Sequence, residues 1–146
     1  MNRTLVFVLL LACGTAHAVL EGKPGDGPAA AIRRSTTVTS AGTSYTEVSR
    51  TLPSGTVVRE YADASGTVFA VFWSGAHKPD LKQLLGSHFD AFRNAAASKE
   101  ARANRSRMAI DTGDLVVQSE GHMGAFEGRA WLQSRVPAGF DPREMR

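Results

Sequence analysis

The amino-acid sequence predicts an α+β domain, in which a curved antiparallel sheet of six to seven strands packs on one amphipathic helix. Three observations lead to this prediction. Several short segments are rich in β-branched or alternating residues and lie between Pro/Gly turns, one longer segment has the apolar period of a helix, and the order is ββββ-α-βββ. Short consecutive strands joined by tight turns pair antiparallel, so one antiparallel sheet is expected.

Four strands are predicted before the helix, and the fourth is the most apolar. Alternation along 67–73 places Phe69, Val71 and Trp73 on one face and leaves an equally apolar set on the other. A strand that is apolar on both faces is predicted to be central and covered on both sides. The predicted strands are 35–40, 45–52, 56–61 and 67–73.

The segment after Pro79 is predicted to be the helix, from Asp80 to about Ala101. Its apolar positions follow the i, i+3, i+4, i+7 spacing of one helix face. Asp80 is a good N-cap, and Gln83 three residues later completes a capping box. Gly86 lies inside this pattern, where glycine costs about 1 kcal/mol relative to alanine. We therefore predict that Gly86 is a packing glycine under a close strand rather than a helix break.

Three further strands are predicted after the helix. The segments 108–111 and 115–120 form a hairpin around Thr112-Gly113-Asp114. Gly121 then turns the chain into a last long strand over 123–133, with apolar and small residues on one face.

The N-terminus predicts a cleavable secretory signal peptide over residues 1–18. Arg3 is followed by an apolar run at 5–12, and Ala16 and Ala18 are the small residues that a signal peptidase site needs, so cleavage is expected before Val19. The apolar run is shorter than the roughly 20 residues of a membrane span. Cys13, preceded by Leu-Leu-Ala, offers the alternative of lipidation in a lipoprotein box.

The remaining chain is predicted to be a flexible leader over 19–34 and a single α+β domain over 35–146. The leader contains Gly-Lys-Pro-Gly-Asp-Gly-Pro and few large apolar residues. Cys13 is the only cysteine, so the mature domain depends on a hydrophobic core and not on disulfides. A net charge of +3 is too mild to indicate nucleic acid as a partner, and no second apolar run has the length of a transmembrane segment.

Two blocks of sequence carry a family resemblance. The first holds Ser-Gly-Thr-Val-Val-Arg-Glu-Tyr at 54–61, with matching segments at 66–71, 79–81 and 84–86. The second holds segments at 114–117, 121–123, 125–126, 128–130 and 137–139. Together they resemble the exported bacterial family known as domain of unknown function 2844, over nearly the whole mature chain. The resemblance implies a periplasmic or cell-envelope setting in a Gram-negative bacterium, and it implies no activity, substrate or catalytic residue.

No catalytic, metal or cofactor motif stands out in the sequence. The spacing of His77, His88 and His122 matches no zinc or copper pattern, and no serine lies in a nucleophile elbow. His88 is placed by the helical period on the face toward the sheet, where burial would keep its ring neutral at pH 7. The candidate binding residues are His88, Trp73 and His122, the first two beside an apolar pocket at the open end of the sheet. The alternative is that these side chains belong to the core or to turns.

The leading hypothesis is a non-catalytic binding or interaction module of the cell envelope, which binds a small apolar ligand or a partner protein. One alternative is a small hydrolase or isomerase that uses a cavity histidine as its base. Another is a structural component of the envelope, anchored by lipid on Cys13.

Overall fold

The computed structural model describes residues 19–27, 29–98 and 107–146. Its α+β fold confirms the predicted class, with seven antiparallel strands in one curved sheet and one helical segment. The strands are Ala31–Val38 (β1), Ser44–Thr51 (β2), Val57–Ala62 (β3), Val68–Gly75 (β4), Arg107–Asp111 (β5), Leu115–His122 (β6) and Ala125–Leu132 (β7). Each strand overlaps a segment that the sequence predicts, and β1 begins four residues earlier than expected.

The strand order is β1-β2-β3-β4-β7-β6-β5. Tight hairpins join β1 to β4 into one meander and β5 to β7 into another, as the turn residues predict. The two meanders meet where β4 pairs with β7, from Ala70 opposite Trp131 to Gly75 opposite Phe126. The helical segment connects β4 to β5, which lies at the far edge of the sheet, and β7 is the neighbour of β4.

The central position of β4 is confirmed, because its first six residues are buried. One side of the sheet, which we call the helix face, packs the side chains of Val71 and Trp73 against Leu84, Leu85 and Phe92. The other side of the sheet, which we call the tail face, packs against the C-terminal segment, residues 133–146. Its buried residues are Tyr61, Phe69, Ala70, Phe72 and Met145, with Phe140 and Trp131 packed against them.

The predicted alternation along β4 fails at two positions, because Val68 lies on the helix face and Phe69 on the tail face, the reverse of the prediction. Phe69 was expected on the same face as Val71 and Trp73, but it lies on the tail face. There its ring packs edge-on against the ring of Phe140, with the two ring centroids 4.9 Å apart. The pairing register between β3 and β4 shifts at Tyr61 and Ala62. A bulge of this kind inserts one unpaired residue and resets the alternation on either side of it.

The helical segment begins as predicted, and it is interrupted where the prediction was continuous. The Asp80 carboxylate caps its start by accepting hydrogen bonds from the amides of Lys82 and Gln83. The elements are Leu81–Leu85 (α1), a 3-10 turn over Gly86–His88, and Phe89–Ala96 (α2). The predicted extension toward Ala101 enters residues 99–106, which lie outside the described ranges.

The prediction for Gly86 was wrong, because this glycine is a break in the helix. It ends α1 with φ 54° and ψ −124°. This region is open to glycine and closed to residues that carry a Cβ atom. The sequence pattern alone did not reveal the break, because the apolar spacing continues across it.

Both ends of the predicted leader belong to the folded domain. Val19 and Leu20 are buried in the helix-face core, and their amides donate to the carbonyl oxygens of Gln83 and Leu84 at 3.1 and 3.0 Å. The amide of Glu21 donates to Val68 at the start of β4. At its other end, 31–34 is the first half of β1. Cys13, Ala16 and Ala18 lie outside the described residues.

Candidate functional site

The structure separates the three side chains that the sequence nominated. His88 contacts Glu21, which is hydrogen-bonded to Val68 at the start of β4. Trp73 lies five residues further along that strand, which places it roughly 16 Å from Val68 at about 3.3 Å per residue. His122 ends β6, at the hairpin that leads into β7. These residues therefore do not form one site.

Trp73 is a core residue. It is fully buried, and its indole lies over Gly128 of the paired strand β7. A Cβ atom at Gly128 would come within 2.2 Å of the indole Cζ2 atom, so only glycine fits beneath the ring. The indole Nε1 atom is buried and has no hydrogen-bond partner within the described part of the chain. This packing assigns Trp73 to the alternative that the sequence left open, a place in the core.

His88 lies in the 3-10 turn, and its partner is an acid. Its Nε2 atom is 3.1 Å from Oε2 of Glu21, and 23% of its side chain is exposed. The sequence placed the ring against the sheet, away from water. That placement was wrong because the helix breaks at Gly86, so a uniform rotation of about 100° per residue does not continue through His88.

Glu21 and His88 belong to a cluster of charged side chains that joins four segments. Glu21 also pairs with Arg135 at 3.4 Å, and Arg135 reaches Asp63 at 3.9 Å. Burial alone raises the pKa of Asp63, but hydrogen bonds from Ser65 and Thr67 outweigh it and hold that pKa below its usual value. The cluster ties together the N-terminal segment, the helical junction, the β3–β4 turn and the end of β7.

The geometry of this cluster is that of a structural ion-pair network rather than of an active centre. A histidine beside a carboxylate is the arrangement that general base catalysis uses. Here, however, Glu21 is shared with Arg135, and the histidine ring points to that ion pair rather than to a hydroxyl nucleophile. Among the described residues, no group of three or more His, Cys, Asp or Glu side chains is placed to hold a metal ion.

His122 borders an open groove at the β6–β7 hairpin. The groove has a volume of about 930 Å³, and its lining includes Phe126, Arg107 and Glu120. Its charged and aromatic groups are already engaged with one another. Arg107 pairs with Glu120 at 3.2 Å, and the ammonium of Lys78 lies 5.2 Å from the centre of the Phe126 ring. The groove is therefore a surface depression with internally satisfied walls.

The least covered regular element is β1, at the edge of the sheet. All eight of its residues are exposed, in contrast to β4 at the centre. Two large apolar side chains, Ile32 and Val38, are 48% and 61% exposed. Long, regular edge strands are templates for pairing with another chain, because one side of their backbone has no partner strand.

The register identifies which backbone groups of β1 point outward. The amide of Thr39 donates to the carbonyl of Thr43, which makes that pair a hydrogen-bonded one. Hydrogen-bonded and open pairs alternate in an antiparallel ladder, so Ser35 exchanges bonds with Glu47 while Thr36 points away from β2. The outward N–H and C=O groups, which have no partner among the residues described, are those of Ile32, Arg34, Thr36 and Val38.

Strand β1 is held in place at two points. Halfway along it, Arg34 donates from Nη2 to the carbonyl oxygen of Pro24 at 3.1 Å. At its end, the Thr39 hydroxyl donates to Ala138 of the C-terminal segment at 2.8 Å. Gly139 lies so close to the β1–β2 turn that a Cβ atom there would be 2.8 Å from the amide nitrogen of Ala41. The edge is therefore presented as a fixed, extended strand.

The sequence does not reveal this edge, although it predicts a strand at 35–40. It assigned 31–34 to the leader, because Gly and Pro residues dominate the preceding stretch. The β-branched run that ends at Val38 gives the strand, but edge position follows from the order of all seven strands. No local pattern carries that order.

The fold and its surface define a small α+β module with a filled core and one long, uncovered edge strand. The chain belongs to a family described as protein of unknown function, DUF2844, whose sequence profile matches residues 16–145. The match confirms the resemblance that the two sequence blocks carry. Comparisons with curated proteins and with solved structures gave no match. No helix in the described ranges is long and apolar enough to cross a membrane.

Proposed function

We propose that this protein is a non-catalytic interaction module of the bacterial cell envelope, which binds an extended segment of a partner polypeptide as an additional strand beside β1. The observation that carries the proposal is the edge itself. Eight exposed residues form a regular strand, and every second residue directs outward an N–H and a C=O that have no partner among the described residues. In strand addition, these main-chain groups supply the affinity and the side chains supply the specificity.

The packing of the sheet favours a partner at the surface over a small apolar ligand inside. The helix face is filled by the helical segment with Val19 and Leu20, and the tail face is filled by the C-terminal segment. A small-molecule site usually needs a concave apolar cavity of several hundred Å³. The large depression at the β6–β7 hairpin is open and has charged walls.

Export supports a partner in the cell envelope. The basic Arg3, the apolar run at 5–12 and the Ala16 and Ala18 positions together have the order of a cleavable signal peptide. Cleavage before Val19 leaves a chain without cysteine, and anchoring at Cys13 is the alternative outcome. The intact mass of the exported protein distinguishes the two, because a lipidated chain begins at Cys13 and carries acyl groups.

Proline substitution within β1 tests the strand-addition proposal. Thr36→Pro removes an outward N–H and should leave the ladder to β2 intact, since proline is tolerated on an edge where the N–H faces solvent. Ser35→Pro removes an N–H that bonds to β2, so it should lower the melting temperature strongly. We expect Thr36→Pro to fold with a melting temperature close to that of the wild type.

The binding readout uses a photoreactive side chain at Ser35 in living cells, since this exposed position on the tail face leaves the outward backbone groups free. A cross-linked partner is expected from the otherwise unchanged protein and from Thr36→Val, which keeps the N–H and the β-branched shape. The adduct should disappear with Thr36→Pro. An adduct that survives Thr36→Pro, or one that forms equally from Lys82 on the exposed side of α1, would overturn strand addition at this edge.

A further inference from the structure

The charge on β1 points to the chemistry of the strand that joins it. Arg33 and Arg34 are adjacent, so their side chains leave opposite faces of the sheet. Arg33 has no ion-pair partner within residues 19–27, 29–98 and 107–146, and Arg34 donates only to the carbonyl oxygen of Pro24. The acid on the neighbouring strand, Glu47, is paired with Arg59 at 3.6 Å. Within the part of the chain that the structure describes, two guanidinium groups at the edge are thus without a carboxylate.

Apolar side chains lie on either side of Arg34 on the helix face. Ile32 lies before Arg34 on that face, and Val38 lies four residues after it. Both are among the most exposed large hydrophobic residues of the described chain. An added strand would place its own alternate side chains beside these four residues, because directly opposed side chains on one face of a sheet come within roughly 5 Å of each other.

A second copy of this chain is a poor occupant of the edge. Two β1 strands in contact would bring four arginines into one small area, and like charges across strands destabilise the pairing. A segment with carboxylates opposite Arg33 and Arg34 reverses the sign of that interaction. The same segment can place β-branched residues opposite Ile32 and Val38, where they would cover apolar surface that is now in water.

We infer that β1 receives an acidic, extended peptide segment of about eight residues, with adjacent carboxylates opposite Arg33 and Arg34 and β-branched residues toward Val38. This inference rests on the proposed function, because it assumes that β1 is the binding edge. It adds the chemical class of the partner segment. An antiparallel segment that satisfies this pattern has the sequence Val-Thr-Val-Thr-Glu-Glu-Val-Thr.

The test uses that peptide with blocked ends, and a matched peptide in which both glutamates are lysines. Each is titrated into the protein that starts at Val19, and binding is followed by amide chemical shifts at low and at high salt. We expect the glutamate peptide to bind about tenfold more tightly than the lysine peptide at low salt, and this difference to shrink as salt screens the charges. The shifts should concentrate in residues 31–38.

Reversing the charges of Arg33 and Arg34 tests the proposed pairing with carboxylates directly. Arg33→Glu combined with Arg34→Glu should invert the preference, so that the lysine peptide binds more tightly. Equal binding of both peptides, with loss of both in Thr36→Pro, would overturn the acidic partner and leave strand addition standing. Shifts outside β1 that persist in Thr36→Pro would overturn both proposals. A dimer of the wild-type protein that Thr36→Pro dissociates would make a second copy the occupant and so refute the inference.

Discussion

At the scale of single residues, the buried ion pair between β2 and β3 is the most demanding feature of the fold. Arg50 and Glu60 are both buried, and Nη2 of Arg50 lies 2.5 Å from Oε1 of Glu60. The amide of Gly25 donates to the other carboxylate oxygen at 2.5 Å. Burial raises the pKa of Glu60, and the Gly25 amide and the Arg50 charge oppose that rise. Oε2 of Glu60 keeps the Gly25 amide as its partner only while the N-terminal segment covers the pair, and Nε of Arg50 is buried without a hydrogen-bond partner among the described residues.

We therefore predict that Glu60→Gln lowers the free energy of unfolding by about 3–5 kcal/mol, because it leaves the Arg50 charge buried without a counterion. The double variant Arg50→Met/Glu60→Leu should recover most of that loss, since apolar side chains of similar size remove both charges. Urea unfolding at pH 7 measures both. If the double variant proved as unstable as Glu60→Gln, shape rather than charge would explain the effect.

At the scale of elements, the break between α1 and α2 decides where His88 lies. Gly86 ends α1 in a conformation that other residues avoid, and the following 3-10 turn directs His88 toward Glu21. A continuous helix would have carried the ring to the sheet. The charged cluster around Glu21 and Arg135 thus depends on one glycine.

Gly86→Ala is accordingly predicted to destabilise the domain by about 1–3 kcal/mol, the usual cost of a residue forced into a sparsely populated backbone region. Ser87→Ala is a matched control at the next, exposed position, where a change within about 0.5 kcal/mol is expected. Thermal unfolding of the two variants gives the comparison. Helix propensity alone expects Gly86→Ala to be more stable than the wild type, so an increase would contradict the structural account.

Some features of the fold are encoded locally in the sequence, and others are not. All seven strands and the Asp80 cap are local signals, because a strand has period two and a cap needs one side chain at one place. The reassignment of Phe69 to the tail face and the break at Gly86 are single-residue irregularities inside regular patterns, so periodicity passes over them. Edge position and the partner of His88 depend on contacts between segments far apart in the chain.

At the scale of the whole molecule, three segments pack on the two faces of the sheet. The helical segment and the N-terminal residues share the helix face, and the C-terminal segment closes the tail face with Phe140 and Met145. The central strand β4 is enclosed between these elements, while β1 is exposed at the edge. The surface available for interaction follows from this distribution.

The N-terminal residues, which the sequence assigned to a leader, are predicted to stabilise the domain. A protein that starts at Ala31 should be several kcal/mol less stable than one that starts at Val19, since burial of Leu20 alone stabilises by about 1.5–3 kcal/mol. In case the shortened chain fails to fold, Leu20→Ala should cost about 2–5 kcal/mol. Lys23→Ala, at an exposed position of the same segment, should change stability by less than about 0.5 kcal/mol. Urea unfolding compares all four proteins. A leader outside the fold would leave them equal, and that result would remove Val19 and Leu20 from the core.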